Sequence, residues 1–253
     1  KARGSAVAAL ARLPVKGRAP KTGYSREQFG DGWVTIAGCD TRERILRRDL
    51  KQKVFGDGCS VISGVLDDPY TRTRVRYVVG GASEVEVDHV VALSDAWQKG
   101  AQQWTARKRV RFANDPLNLL AVDAGANRQK GDGDAATWLP PNTSFRCAYV
   151  ARQVAVKRKY RLWVTRAEWA AIERVLARCP GQKLPKAGKR VRVPAAKPAP
   201  VRTPERDAEA GAGRYFPTCD DARAAGAAPL YEGTADYETN PHLDRDKDGV
   251  GCE

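Results

Sequence analysis

The sequence predicts an α+β fold with a small separate unit at its C-terminal end. Three observations lead there. Two short apolar runs, 84–88 with Val85 and Val87 alternating against Glu84 and Glu86, and 117–122, read as strands on either side of a helical stretch. Apolar residues recur at helical spacing through 145–163, and a capping pattern opens a further helix to 177. Between 183 and 212 the composition changes to Pro, Ala, Lys and Arg, and beyond it the chain turns acidic.

Taken in order, residues 1–23 hold an apolar piece at 6–13, expected as a short helix, and a basic arm, PVKGRAPKTG. Residues 26–33 form a turn that tucks Phe29 and Trp33 inward. Asp40 is placed to N-cap a helix over 41–51, with Ile45 and Leu46 inward and arginines on a solvated face. Residues 60–66 and 73–79 read as a hairpin turning at Asp67, Asp68 and Pro69. The chain is organised around 84–132. There a strand delivers Asp88 and His89 side by side. A helix over 94–112 is inserted, with Trp97 and Trp104 packed on the sheet. The second strand follows, and then a short helix capped by Asp123 carries Asn127, Arg128 and Lys130 and stops at Gly131 and Gly133.

Pro140 and Pro141 end that region. Ser144 is expected to cap the helix over 145–163, and Thr165 with Glu168 forms a capping box for the last helix, to 177. The basic run Lys157, Arg158, Lys159 and Arg161 reads equally as a phosphate track or a solvated face. Residues 183–212 read as an extended linker with a reach of roughly 90 Å. The domain division is therefore 1–182, linker 183–212, and tail 213–253.

The hydrophobic fraction is 42%, sufficient for a core in the first domain. The net charge of +14 is unevenly spread: 213–253 carries 4 Lys+Arg against 9 Asp+Glu, whereas 1–182 carries 32 against 18. A basic body suits a polyanion, because neutralising phosphates releases counterions, and it suits one without sequence preference. The six cysteines include no CxxC pair, which argues against a zinc cluster. An even count without metal spacing suggests disulfides and an oxidising compartment. Pairing of sequence neighbours is expected: Cys39 with Cys59, Cys147 with Cys179, and Cys219 with Cys252. Free buried thiols are the alternative. The apolar AVAALA is too short to span a membrane or to serve as a secretory core, so the chain is expected to be a mature or trimmed form of a secreted protein. A monomer is expected.

The residues at 88–130 suit metal-assisted hydrolysis of a phosphodiester. Asp88 offers a hard carboxylate oxygen and Asn127 an amide oxygen. A small hard ion such as Mg²⁺ or Mn²⁺ takes few protein ligands and keeps water and phosphate oxygens for the rest. His89, neutral near pH 7, can take a proton from the attacking water. Arg128 and Lys130 are expected to hold phosphates. One geometric condition applies. Successive strand residues point to opposite faces, so Asp88 and His89 converge on one phosphate only where the strand ends or bulges.

The pattern DHVVAL, NLLAV, NRQKGD resembles the HNH endonuclease family, the ββα-metal nucleases, and the flanking CDTRERILRRDL and DPYTRT resemble its secreted bacterial members. The resemblance covers roughly 20–180. It implies a ββα-metal core with an added hairpin and helices, with Asp88 and Asn127 as metal ligands and His89 as general base. Asn118 is implied as the middle asparagine bracing the active-site loop, with Asn114 as the competing choice because the insertion after His89 is long. It further implies a secreted or wall-associated one-metal endonuclease acting on DNA, with RNA as a second substrate. The competing reading is a catalytically silent protein that binds nucleic acid or an anionic cell-wall polymer.

About forty residues of tail cannot build a core unaided, and a disulfide and a metal supply what is missing. LDRDKDGVGCE carries Asp244, Asp246 and Asp248 at alternate positions, then Gly249, with a backbone carbonyl at Val250 and an acid at Glu253. This resembles the Excalibur calcium-binding domain, whose signature is DxDxDGxxCE, and implies Ca²⁺ held by those residues.

Overall fold

A computed structural model describes residues 5–82, 84–186, 213–231, 234–244 and 250–252. The chain divides into two compact units, Lys1–Ala196 and Lys197–Glu253. The basic linker lies almost entirely outside the described residues, as do Asp246, Asp248 and Glu253.

The first unit opens with α1 (Ala6–Leu10), capped by the Ser5 hydroxyl, and a 3-10 turn at Arg26–Phe29. A two-residue ladder, β1 (Thr35–Ile36) with β2 (Cys39–Asp40), leads into α2 (Thr41–Asp49). Asp40 caps α2 through its carboxylate, which accepts from the Glu43 N–H at 2.7 Å. An antiparallel sheet in the order β3 (Lys51–Phe55), β4 (Val61–Asp67), β5 (Arg74–Val78) follows. The expected hairpin is its last two strands. The third, β3, escapes the sequence pattern because KQKVF is almost wholly exposed and carries no inward stripe.

Next come β6 (Val85–His89), α3 (Leu93–Trp97), α4 (Ala106–Ala113), β7 (Leu119–Asp123) and α5 (Ala124–Lys130). β6 and β7 form an antiparallel ribbon in unbroken register, from Val85 opposite Asp123 to His89 opposite Leu119. Both faces of β7 are buried. Leu120 and Val122 join the core made with α1, α6 (Arg146–Tyr160) and α7 (Arg166–Ala177), and Leu119 and Ala121 join the core made with α2, β4 and β5. Such a strand reads as a continuous apolar run, as LLAV does.

The single inserted helix expected over 94–112 is two helices. Gly100 sits at φ 123°, a conformation unfavourable to other residues, and Thr105 starts a new helix by accepting from the Lys108 N–H at 3.3 Å. Trp97 is buried and Trp104 packs on Phe112 with ring centroids 5.5 Å apart, both in the core around α3 and α4 that also holds Phe29. α6 starts at Arg146 without the expected Ser144 cap. The Ser144 hydroxyl instead donates to Asn142 Oδ1 at 2.6 Å within a 3-10 turn. The capping box of Thr165 and Glu168 is present on α7.

A buried ionic cluster joins α3, α6 and α7. Lys99 Nζ reaches Asp95 at 2.5 Å, Asp134 at 2.8 Å and Glu168 at 2.6 Å, and Lys157 Nζ reaches Asp95 and Glu168 at 2.9 Å each. Arg18 closes one side on Asp95 and Asp134. Three carboxylates thus meet three cations, the condition under which buried charge is tolerated. Burial opposes ionisation of Asp95, but the Lys157 and Lys99 ammoniums outweigh it and hold its carboxyl below the usual range. Lys157, one of the residues expected on a phosphate track or a solvated face, is fully buried here, and Lys159 pairs with Asp115 at 2.5 Å. The helix turns Lys157 inward because a charged cavity awaits it, which a run of basic residues does not reveal.

The second unit contains α8 (Cys219–Ala224), β8 (Leu230–Tyr231), α9 (Ala235–Thr239) and β9 (Val250–Gly251), the two strands paired antiparallel. Its core is Phe216, Ala222, Leu230 and Cys252. Thr218 and Asp221 form a capping box on α8. The disulfides join Cys39 to Cys59, Cys147 to Cys179 and Cys219 to Cys252. Among the described residues, no helix is long and apolar enough to cross a membrane.

Candidate active site

A pocket of about 270 Å³ opens where β6 ends, and Asp88, His89 and Asn127 all line it, with Arg26, Ser94 and Asp132. There is no bulge: β6 stays in register through His89 and stops there. Both residues reach the pocket because the strand ends beside it.

His89 is 7% exposed. Its Nε2 lies 2.8 Å from the Ala113 carbonyl oxygen, which can only accept, so Nε2 carries the proton and Nδ1 keeps the lone pair in the neutral ring. Trp33 stacks on the imidazole at 5.5 Å and 13°. Burial pulls the pKa of His89 down to about 4, and the nearby Arg26 and Lys130 charges act in the same direction. The ring is therefore neutral at pH 7, as a general base must be.

Asp88 is buried, and both of its carboxylate oxygens are engaged. The Tyr70 hydroxyl donates to Oδ2 at 2.5 Å, and Lys130 Nζ donates to Oδ1 at 2.8 Å and to the His89 carbonyl at 3.0 Å. Burial, and then the Asp88 charge, push the Tyr70 phenol well above its ordinary range, so it remains a donor. Lys130, expected on substrate phosphate, is 3% exposed and turned inward. A buried carboxylate needs a counter-charge, and Lys130 on α5 supplies it.

Asn127 donates its Nδ2 to Glu86 Oε2 at 2.7 Å, which fixes the amide orientation and leaves its oxygen without a donor among the described residues. Glu86 also accepts from Arg128 Nε at 3.0 Å and Nη2 at 2.8 Å. Arg128 is therefore half-committed, with an exposed guanidinium. Asn118 is fully buried and clamps the loop after β6: its Oδ1 accepts from the Val91 N–H at 2.8 Å and its Nδ2 donates to the Val91 carbonyl at 3.1 Å. The competing Asn114 instead binds the Val34 N–H and the Val110 carbonyl.

The donor set fits one hard divalent ion. An ionised carboxylate has about four lone-pair sites, so Asp88 retains acceptor capacity beside Tyr70 and Lys130. The Asn127 oxygen is available, and Asp132 adds a carboxylate. Burial raises the Asp132 pKa, but the Ser94 hydroxyl and the Lys21 ammonium outweigh it and hold it below the usual range. No cluster of three His, Cys, Asp or Glu side chains suited to a metal occurs among the described residues. An ion that keeps most of its water and takes phosphate oxygens needs only a few such protein ligands.

Tyr70, Asp132, Arg26 and Glu86 carry no site role in the sequence reading. Arg26 is exposed, lines this pocket and also the adjoining one of about 400 Å³ that His89 shares, and forms no ion pair among the described residues. Nothing local distinguishes it from other surface arginines. Glu86 orients Asn127, and its signal was the period of two that places it on the Asp88 face.

In the tail, Asp244 is buried and accepts from the Tyr237 hydroxyl at 2.5 Å, and the Val250 backbone pairs with Tyr231. The remaining expected calcium ligands lie outside the described residues.

Comparison with known proteins places these two units separately. Residues 216–253 match the Excalibur calcium-binding domain. A protein of Arthroderma benhamiae described as an "Uncharacterized secreted protein" is 41% identical over 173 residues, 67% of this chain and 82% of that one. That organism is a fungus, so the likeness does not tie the chain to bacteria. No solved structure matches. Residues 40–175, more than half of the chain and including every residue of the pocket from Val87 to Asp132, match the model of the C-terminal domain of GmrSD restriction endonucleases. The chain belongs to that nuclease family, with an Excalibur domain at its C-terminal end.

Proposed function

We propose that the protein is a secreted, metal-dependent endonuclease of the HNH type. Its substrate is DNA first and RNA second, cut with little regard to sequence. The observation that carries this reading is the meeting of Asp88, His89 and Asn127 at one pocket, with His89 held in the tautomer that leaves Nδ1 free. The antiparallel ribbon of β6 and β7 followed by α5 supports reading this region as a ββα unit. Asp88 and Asn127 would hold one Mg²⁺ or Mn²⁺. When bound, the ion supplies positive charge to the phosphate and the departing oxygen.

The chain's own residues do the rest. His89 Nδ1 takes the proton of the attacking water, and the Ala113 carbonyl holds the opposite N–H and stabilises the imidazolium that forms. Trp33 keeps the ring flat against it. Asn118 fixes the turn that follows His89. Arg26, and Arg128 through the part of its guanidinium not spent on Glu86, hold phosphate oxygens. Lys130 serves the fold by neutralising Asp88. The nuclease domain is taken as 1–182, the linker as 183–212 and the calcium-binding domain as 213–253, with Asp244, Asp246, Asp248, Glu253 and the Val250 carbonyl as Ca²⁺ ligands. The disulfides and the secreted relative support an extracellular setting.

The test is digestion of plasmid, single-stranded DNA and RNA with a panel of divalent ions and with EDTA. His89→Ala should lower cleavage by about two to four orders of magnitude while DNA binding persists. Cutting by His89→Ala at the wild-type rate would refute the assignment, and binding without cleavage under any ion would leave the silent binding protein.

A further inference from the structure

A concave feature larger than the candidate active site lies outside it in the first unit. It is a groove of about 500 Å³, walled by Trp138, Thr137, Thr143, Arg146, Arg174 and Arg178, with no acidic residue in its lining. Arg174 and Arg178 are exposed, four residues apart at the end of α7, and among the described residues neither forms an ion pair. Two like charges at that spacing work against the helix. The arrangement leaves about 6 Å between them along the helix axis, comparable with successive phosphates of one strand. Arg146 is anchored by its Nε, which donates to the Pro140 carbonyl at 2.7 Å and leaves the rest of its guanidinium available.

Trp138 ties this groove to the catalytic pocket. Its indole N–H donates to Gln129 on α5 at 3.3 Å, and its ring meets the edge of Tyr70 at 5.1 Å, whose hydroxyl holds Asp88. The disulfide between Cys147 and Cys179 fixes the start of α6 to the end of α7, and so fixes Arg146 relative to Arg178.

We infer that this groove binds an unpaired stretch of nucleic acid flanking the cut bond, with a base stacked on Trp138 and its phosphates on Arg146, Arg174 and Arg178. An aromatic face beside a row of cations is how single strands are held without sequence preference. The inference rests on the nuclease reading for the identity of the strand, but its binding test does not require cutting.

The test uses the full chain in EDTA with a fluorescein-labelled single-stranded oligonucleotide of 20 thymidines. In Arg174→Ala/Arg178→Ala, affinity at low salt should fall by about tenfold or more, and the slope of log K against log salt should shrink by about 1.4. Trp138→Leu should cost roughly tenfold. An oligonucleotide carrying 5-iododeoxyuridine should photocrosslink to the peptide containing Trp138. Wild-type affinity and slope in the double variant, with crosslinks elsewhere, would overturn the inference. Arginine-dependent binding in a protein that never cuts would keep the groove and remove the nuclease reading, whereas cutting with unchanged strand affinity in the double variant would do the reverse.

Discussion

His89 and Lys130 are both buried, and burial acts on each differently. The folded pKa of His89 is about 4 against an ordinary 6.5, so the unfolded chain binds the proton first. This contribution to stability is fully present above pH 6.5 and is lost as the pH falls toward 4. In EDTA, the first unit should lose about 2–3 kcal/mol between pH 7 and pH 4.5 on this account. Urea unfolding of wild type and His89→Gln across that range checks it, and parallel profiles would count against it. Lys130→Ala leaves the Asp88 carboxylate buried beside one phenol, and should destabilise the unit by about 3–5 kcal/mol. A melting temperature within a degree or two of wild type would sink that account. Residue chemistry pointed to Asp88, His89 and Asn127, which line one pocket, and the family resemblance pointed to Asn118, which clamps the loop after β6. The sequence misled on Lys130, since a lysine in the basic run NRQKGD reads as solvated, whereas its ammonium meets Asp88 at 2.8 Å.

At the scale of elements, the ribbon and its helix were legible because period and caps agree. The run LLAV has apolar neighbours on both faces, and Asp123 accepts from the Ala126 N–H at 2.7 Å as a cap should. The hairpin of β4 and β5 was legible from alternation, whereas β3 was not, because its stabilisation comes from backbone pairing with β4 rather than from a buried face. The break in the inserted helix depends on the backbone at Gly100. The joint of α3, α6 and α7 was not legible at all, since its charges meet only in three dimensions. Lys157→Met should cost about 3–5 kcal/mol by leaving Asp95 and Glu168 short of a cation. Adding Glu168→Gln to that variant should recover part of the loss, measured as a double-mutant cycle in urea. Simple additivity of the two substitutions would show the pair to be uncoupled.

For the whole molecule, composition foretold a basic body and an acidic tail, and the two units carry different chemistry. Among the described residues the tail core is Phe216, Ala222, Leu230 and Cys252 with one disulfide, too little to hold about forty residues without help. Calcium at about a hundred times its dissociation constant should stabilise the tail by about 2.7 kcal/mol. Asp246→Asn/Asp248→Asn should abolish that gain. Calorimetry with and without calcium distinguishes the outcomes, and an undiminished gain in the variant would place the ion elsewhere.

The Asn118 clamp bears on chemical ageing. Asparagine slowly loses its amide nitrogen and becomes aspartate, and at this position the change would set a second oxygen against the Val91 carbonyl where a donor now sits. The reaction begins with attack by the following backbone nitrogen, here that of Leu119, whose backbone is fixed in β7 opposite His89. The lock that shapes the loop also slows its own decay.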